Sequence, residues 1–163
     1  MAIVDSSFEK VRQKMVAARI EFMGKLAKFS KEALVARPAE GEWSPLQIAH
    51  HLYIADGVAL EQMQQVQTED NPLIDSMSEN IPQLTRQAQT PVSLDAVLGG
   101  LAARREEIFE YLASLPGEAW ERPYRSEEWG DRKFYQLANI LAAHDKQHAQ
   151  QLAEMHAKLL AQK

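Results

Sequence analysis

His144 and His148 are the residues of this 163-residue chain whose type and spacing point most directly to chemistry. On an α-helix a separation of four puts both imidazoles on one face about one turn apart, close enough to share a single metal ion. Both fall on the apolar stripe of Phe134, Leu137, Leu141, Leu152, Met155 and Leu159, whose steps of three and four mark the inward face of an amphipathic helix. Two buried neutral histidines with backbone or water partners would look the same in sequence. A third donor from another element is what distinguishes a metal site. Three imidazoles suit zinc, nickel, iron or copper and leave at least one position open to water or substrate. Such an open site lowers the pKa of a bound water or thiol and polarises a substrate oxygen. Protons should compete with the metal as pH falls from about 7 to about 5, less so where burial already depresses the imidazole pKa values.

The candidates for that third donor, His50 and His51, follow the clearest helix start in the chain. Ser44 suits an N-cap, Pro45 the first helical position and Gln47 the reciprocal arm of a capping box. Trp43 and Ile48 flank the cap as a hydrophobic staple. The helix so begun runs through Ile48, Leu52, Ala55, Val58 and Ala59 to about Thr68. His51 lies inside its apolar stripe. His50 points about a quarter-turn away, so periodicity favours His51 but leaves His50 open, its other reading being a packed or half-exposed surface position.

These histidines need elements to hold them. Phe8, Val11, Met15, Ala18, Phe22, Leu26 and Phe29 predict a first helix from Asp5 to Phe29. It is broken by Pro38-Ala-Glu-Gly41, with Leu34 and Val35 covering the bundle end. Glu69 to Pro91 contains three prolines and no sustained period, and reads as a long connection between helices two and three. A crossover of that length lets two consecutive helices run parallel. The third helix is predicted from Val92 to Leu115 and the fourth from Lys133 to Ala161. Between them, Glu118 to Arg132 predicts an aromatic-lined loop or small hairpin, with Trp120 and Trp129 capping the core. The fold class is therefore all-α, a four-helix bundle, with residues 1–163 forming one domain.

Composition narrows the function. There is no cysteine, which excludes disulfides, a thiolate metal site and a cysteine nucleophile, so any thiol chemistry needs a thiol from outside. A net charge of -5 without a Lys/Arg cluster leads to the expectation of no nucleic-acid partner. No apolar run is long enough to span a bilayer, and the N-terminus lacks a basic region followed by an apolar core. No membrane partner and a cytoplasmic location are expected.

Trp43-Ser44-Pro45, His51 eight residues beyond Trp43, and His144-Asp-Lys-Gln-His148 with Gln151 three further on together resemble the DinB/YfiT-like superfamily of four-helix bundle metalloproteins. The likeness covers almost the whole chain in order of elements. It implies an up-down-down-up bundle in which His51, His144 and His148 hold one divalent transition metal, zinc or nickel first and iron next. It also selects His51 over His50. Members of the superfamily include thiol-dependent transferases and metal-dependent hydrolases, and some are not enzymes. The implied function is a metal-dependent S-transferase joining a low-molecular-weight thiol to a small electrophile. The alternatives are a hydrolase or a non-catalytic, metal-stabilised binding or stress-response protein. Homodimers are common among such proteins, and helix faces offer a surface for one.

The remaining polar residues are assigned by position. Gln47 either caps its helix or reaches the second nitrogen of His51. Gln151 either approaches the site beside His148 or faces solvent. Asp145 is expected off the seam and exposed, Glu106, Glu107 and Glu110 on the surface, and His156 away from the site.

Overall fold

Four long helices carry the fold in the computed structural model, which describes residues 6–74 and 93–162. They are α1 (Ser6–Leu26), α3 (Pro45–Thr68), α4 (Leu94–Ala113) and α5 (Phe134–Ala161). The short α2 (Lys31–Val35) follows α1, its first turn capped by the Ser30 hydroxyl accepting from the Ala33 N–H at 3.1 Å. Of the pair expected to cover the bundle end, Leu34 is buried but Val35 is 54% exposed, because a single turn buries only one face.

The start of α3 is built as its sequence dictates. The Ser44 hydroxyl accepts from the Gln47 N–H at 3.1 Å, and the Gln47 side-chain oxygen accepts from the Ser44 N–H at 2.8 Å. Gln47 is thus committed to the capping box. Trp43 packs on the cluster that contains Ile48, as a staple requires. Gly41, at a φ of +83°, makes the turn before the cap, where a side chain would be strained.

The helix directions follow from two apolar clusters. One joins Met15 and Ala18 of α1, Ala59 and Met63 of α3, Ile108 and Leu112 of α4, and Leu137 and Leu141 of α5. The other joins Phe22 and Leu26, Ile48 and Leu52, Val97 and Leu101, and Ala149 and Leu152. Going from the first cluster to the second, α1 and α5 ascend in sequence while α3 and α4 descend. The order is up-down-down-up, as expected of this bundle. Two parallel neighbours, α3 and α4, need a long crossover between them; of the connection expected over 69–91, residues 75–92 lie outside those described.

A small sheet caps the first cluster. β1 (Leu73–Ile74), which sequence reading assigned to loop, runs parallel to β2 (Pro123–Ser126), and β2 pairs antiparallel with β3 (Gly130–Lys133). Two residues are too short to show a period, so β1 is fixed by its partner. The β2–β3 hairpin is the small hairpin expected there. Trp120 is buried edge-on to Phe134 at 5.4 Å, but Trp129 is 52% exposed at the hairpin tip, under the Arg132 guanidinium. Only one of the two tryptophans caps the core. Arg122 ties this cap to α3 by donating to the carbonyls of Val66 and Glu69, each at 2.9 Å, where the helix end leaves acceptors free.

Ser44→Ala should lower unfolding free energy by about 1 kcal/mol. Denaturant titration checks this, and an unchanged midpoint and slope would mean the cap on the His51 helix contributes nothing.

Candidate metal centre

His51 projects from the second turn of α3, and His144 and His148 from the middle of α5. The antiparallel packing of the two helices brings the three rings together. His144 Nε2 lies 3.2 Å from His51 Nε2 and 3.0 Å from His148 Nε2. Two nitrogens about 2.0–2.1 Å from one ion sit about 3 Å apart at ordinary coordination angles, so this spacing suits a shared metal. Hydrogen bonding alone accounts for it less well, since His144 Nε2 offers one hydrogen or one lone pair to two neighbouring nitrogens. Among the described residues, these three form the group of potential ligands able to hold an ion.

The surroundings keep the rings neutral. Burial, then the neighbouring imidazoles, pushes His51 from 6.5 down to about 3. Burial, then His148, pushes His144 down to about 4, with Asp56 opposing and Arg19 and Arg105 assisting. Burial also lowers His148, against the upward pull of Gln151 and Asp145. The His148 Nδ1–H donates to Gln151 Oε1 at 2.7 Å, which leaves the Nε2 lone pair facing the other two rings. Trp43 lies 4.9 Å from the His51 ring and shields it.

His50 is buried but turned away, stacked on Tyr53 at 6.0 Å, where the Arg104 guanidinium also sits. His156 packs edge-on to Phe29, and Glu106, Glu107 and Glu110 are exposed. Asp145 contradicts its expected exposure. It is 1% exposed and accepts from Arg19 Nε and Nη2 and from Arg105 Nη2, all at 3.1 Å. Asp56 accepts from the same two arginines, from Arg19 at 3.1 Å and from Arg105 at 3.1 to 3.3 Å. This buried layer of four charges was missed because its partners lie on other helices. A signal existed all the same: Arg19, Asp56, Arg105 and Asp145 each stand three or four residues from core apolar positions, on the inward stripe of their own helix.

A cavity of about 340 Å³ opens beside the triad, lined by Trp43, Gln151, Met155 and the charged Glu42, Glu154 and Lys158. None of the three histidines lines it, but two of its lining residues touch them: Trp43 packs on His51 and Gln151 accepts from His148. A second cavity, of about 450 Å³, lies by the β2–β3 hairpin, and the triad does not line it either.

The model of the DinB superfamily matches residues 9–152. The chain belongs to the DinB superfamily. No curated protein matches it. Among solved structures it is similar to YfiT from Bacillus subtilis, described as a probable metal-dependent hydrolase with an unusual four-helix bundle topology. That likeness has a TM-score of 0.76 at 14% identity, over 97% of this chain and 90% of YfiT. The four-helix bundle protein TT2238 gives a TM-score of 0.65 at 18% identity, over 90% of this chain and 98% of that one. The colibactin self-resistance protein ClbS, solved in complex with double-stranded DNA, gives 0.72 at 12% identity, over 95% and 98%. The ClbS complex overturns the expectation that nucleic acid is excluded. That expectation rested on a net charge of -5 and on the lack of a Lys/Arg cluster along the sequence, whereas phosphate contacts depend on the local field that folding assembles on one surface. No helix among the described residues is long and apolar enough to cross a membrane.

Two measurements probe the centre. His148→Ala should abolish stoichiometric metal binding while the protein stays helical, and His50→Ala should bind normally; elemental analysis with circular dichroism reads both, and loss of metal in His50→Ala would select the other histidine. The second concerns pH. Unfolded histidines take up protons near 6.5, whereas folded His51 and His144 resist until about 3 and about 4. The unfolded state therefore binds more protons between those limits, and stability falls as pH falls through them. Metal-free protein should melt progressively lower below about pH 6.5 by this term, and replacing His51 with Gln should flatten the decline. An unchanged slope would show that His51 is not held neutral. The lowered pKa values of His51 and His144 weaken proton competition at those two nitrogens between about pH 7 and about pH 5.

Proposed function

We propose that this DinB-superfamily chain is a metal-dependent enzyme in which His51, His144 and His148 hold one divalent transition metal, zinc or nickel first and iron next. We propose further that it joins a low-molecular-weight thiol to a small electrophile. The observation carrying this reading is the convergence of three imidazole nitrogens from two helices within 4.8 Å of one another. When bound, such a metal supplies a Lewis acid that lowers the pKa of a thiol or water and polarises a substrate oxygen.

The chain itself binds, orients and excludes water. Gln151 fixes the His148 tautomer, and Trp43 presents an apolar wall against which a substrate can pack while keeping solvent from His51. Glu42, Glu154 and Lys158 place charges of both signs at the cavity, suited to orienting a polar cosubstrate. With no cysteine in the chain, the reacting thiol arrives as a cosubstrate. Hydrolysis is the second reading, favoured by the description of YfiT as a probable metal-dependent hydrolase.

The test is a turnover screen of zinc-loaded and nickel-loaded protein against small electrophiles, with and without low-molecular-weight thiols. Electrophile loss that requires thiol, and that disappears with chelator and in His148→Ala, is the expected result. Loss without thiol would assign a hydrolase, and tight metal binding without turnover would assign a sequestering protein. Duplex DNA belongs in the same screen as a ligand, given the ClbS complex.

A further inference from the structure

The described residues contain one buried polar assembly that the triad does not use. Each long helix contributes one charged side chain to it: Asp56 from α3, Arg105 from α4 and Asp145 from α5, all buried, and Arg19 from α1, whose side chain is 14% exposed. The layer lies between the two apolar clusters, with Ala18 and Phe22, Leu52 and Ala59, Leu101 and Ile108, and Ala142 and Ala149 on either side. Its two positive and two negative charges cancel. It therefore adds no net charge beside the triad, and what it can impose is geometry.

We infer that the layer of Arg19, Asp56, Arg105 and Asp145 is the positioning element of the metal centre, setting the axial register at which His51 meets His144 and His148. This role rests on the metal reading of the triad. Asp56 lies five residues beyond His51 on α3, and Asp145 lies between His144 and His148 on α5. Each carboxylate accepts from both arginines. Arg105 Nη2 spans Asp56 Oδ1 and Asp145 Oδ2 at 3.1 Å each, and Arg19 Nη2 spans Asp56 Oδ2 and Asp145 Oδ1 at the same distance. Two guanidiniums thus bolt α3 to α5 within about a turn and a half of the histidines.

A slip of one residue between α3 and α5 is about 1.5 Å along the axis. It would pull those hydrogen bonds apart and leave charges buried without partners, a severe penalty. The same slip would carry His51 Nε2 away from its 3.2 Å approach to His144. Leucine and alanine contacts restrain sliding far less, because apolar surfaces repack. None of the four side chains is among the potential ligands, so they act through the histidines.

The test replaces the whole layer: Arg19→Met, Asp56→Leu, Arg105→Met and Asp145→Leu in one chain. Exchanging a complete buried ion network for apolar groups is often neutral or stabilising, so melting of the metal-free variant should match or exceed that of the parent protein. Zinc affinity, measured by competition with a chromophoric chelator, should nevertheless fall about tenfold or more, and the absorption spectrum of the cobalt(II)-loaded variant should differ from the parent's. A folded variant with parental zinc affinity and cobalt spectrum would overturn the positioning role and leave the metal reading intact. If the parent protein itself takes up no stoichiometric zinc or cobalt, the metal reading falls and the role falls with it. Should the fourfold variant not fold, the double variant Arg19→Met, Asp56→Leu decides by the same two readouts, since it leaves Arg105 paired with Asp145 at no net charge but removes α3 from the layer. Weaker zinc binding with an altered cobalt spectrum supports the role, and parental values refute it.

Discussion

A carboxylate buried among apolar helices has to find a cation inside the protein, because the cost of leaving it unpaired exceeds what one domain's marginal stability can absorb. Asp56 and Asp145 meet this constraint with Arg19 and Arg105, and no two of the four come from the same helix. The bundle therefore closes correctly only when all four helices arrive together at one level. Apolar stripes alone would bury as much surface in several registers. Four charges accept one.

That layer also divides the bundle in two. On one side the core is wholly apolar, sealed by Trp120, Tyr124 and the three-stranded sheet. On the other, the second apolar cluster shares its end of the bundle with a polar zone that runs from His144 through His148 to Gln151. The histidines are dry enough to stay neutral and near enough to the surface for Trp43 and Gln151 to border open space. A shallower group would protonate and hydrate its imidazoles as free histidines do.

Much of this was legible in the sequence because helix caps and 3.6-residue periods are local. Ser44, Pro45 and Gln47 announce the start of α3, and that start sets which face His51 presents. The spacing of His144 and His148 announces a pair, but their meeting with a third ring depends on packing between distant segments: periodicity favoured His51, and the resemblance to a family selected it over His50. Asp145 was misplaced for the same reason. A charge on an inward stripe reads as surface until its partners are known, and Arg19 and Arg105 lie 126 and 40 residues away in sequence. β1 was invisible because two residues carry no pattern. Trp129 was assigned to the core because hydrophobicity alone does not say which side of a hairpin faces the bundle.

The triad is asymmetric in how its members are held. His144 and His148 sit on one helix, so their separation is fixed by its covalent geometry and survives any movement of α5 as a body. His51 reaches them from α3, and its distance depends on how two helices lie against each other. The geometry of the whole centre thus reduces chiefly to one soft coordinate, the sliding of α3 on α5. At 12 to 18% identity to the solved bundles, the same fold is reached with most aligned residues different. A centre of this design asks for three things: a histidine pair at a spacing of four, a third histidine on an antiparallel neighbour, and a device that stops the two helices from slipping. In this chain the first two are the residues visible from sequence, and the buried charges supply the third.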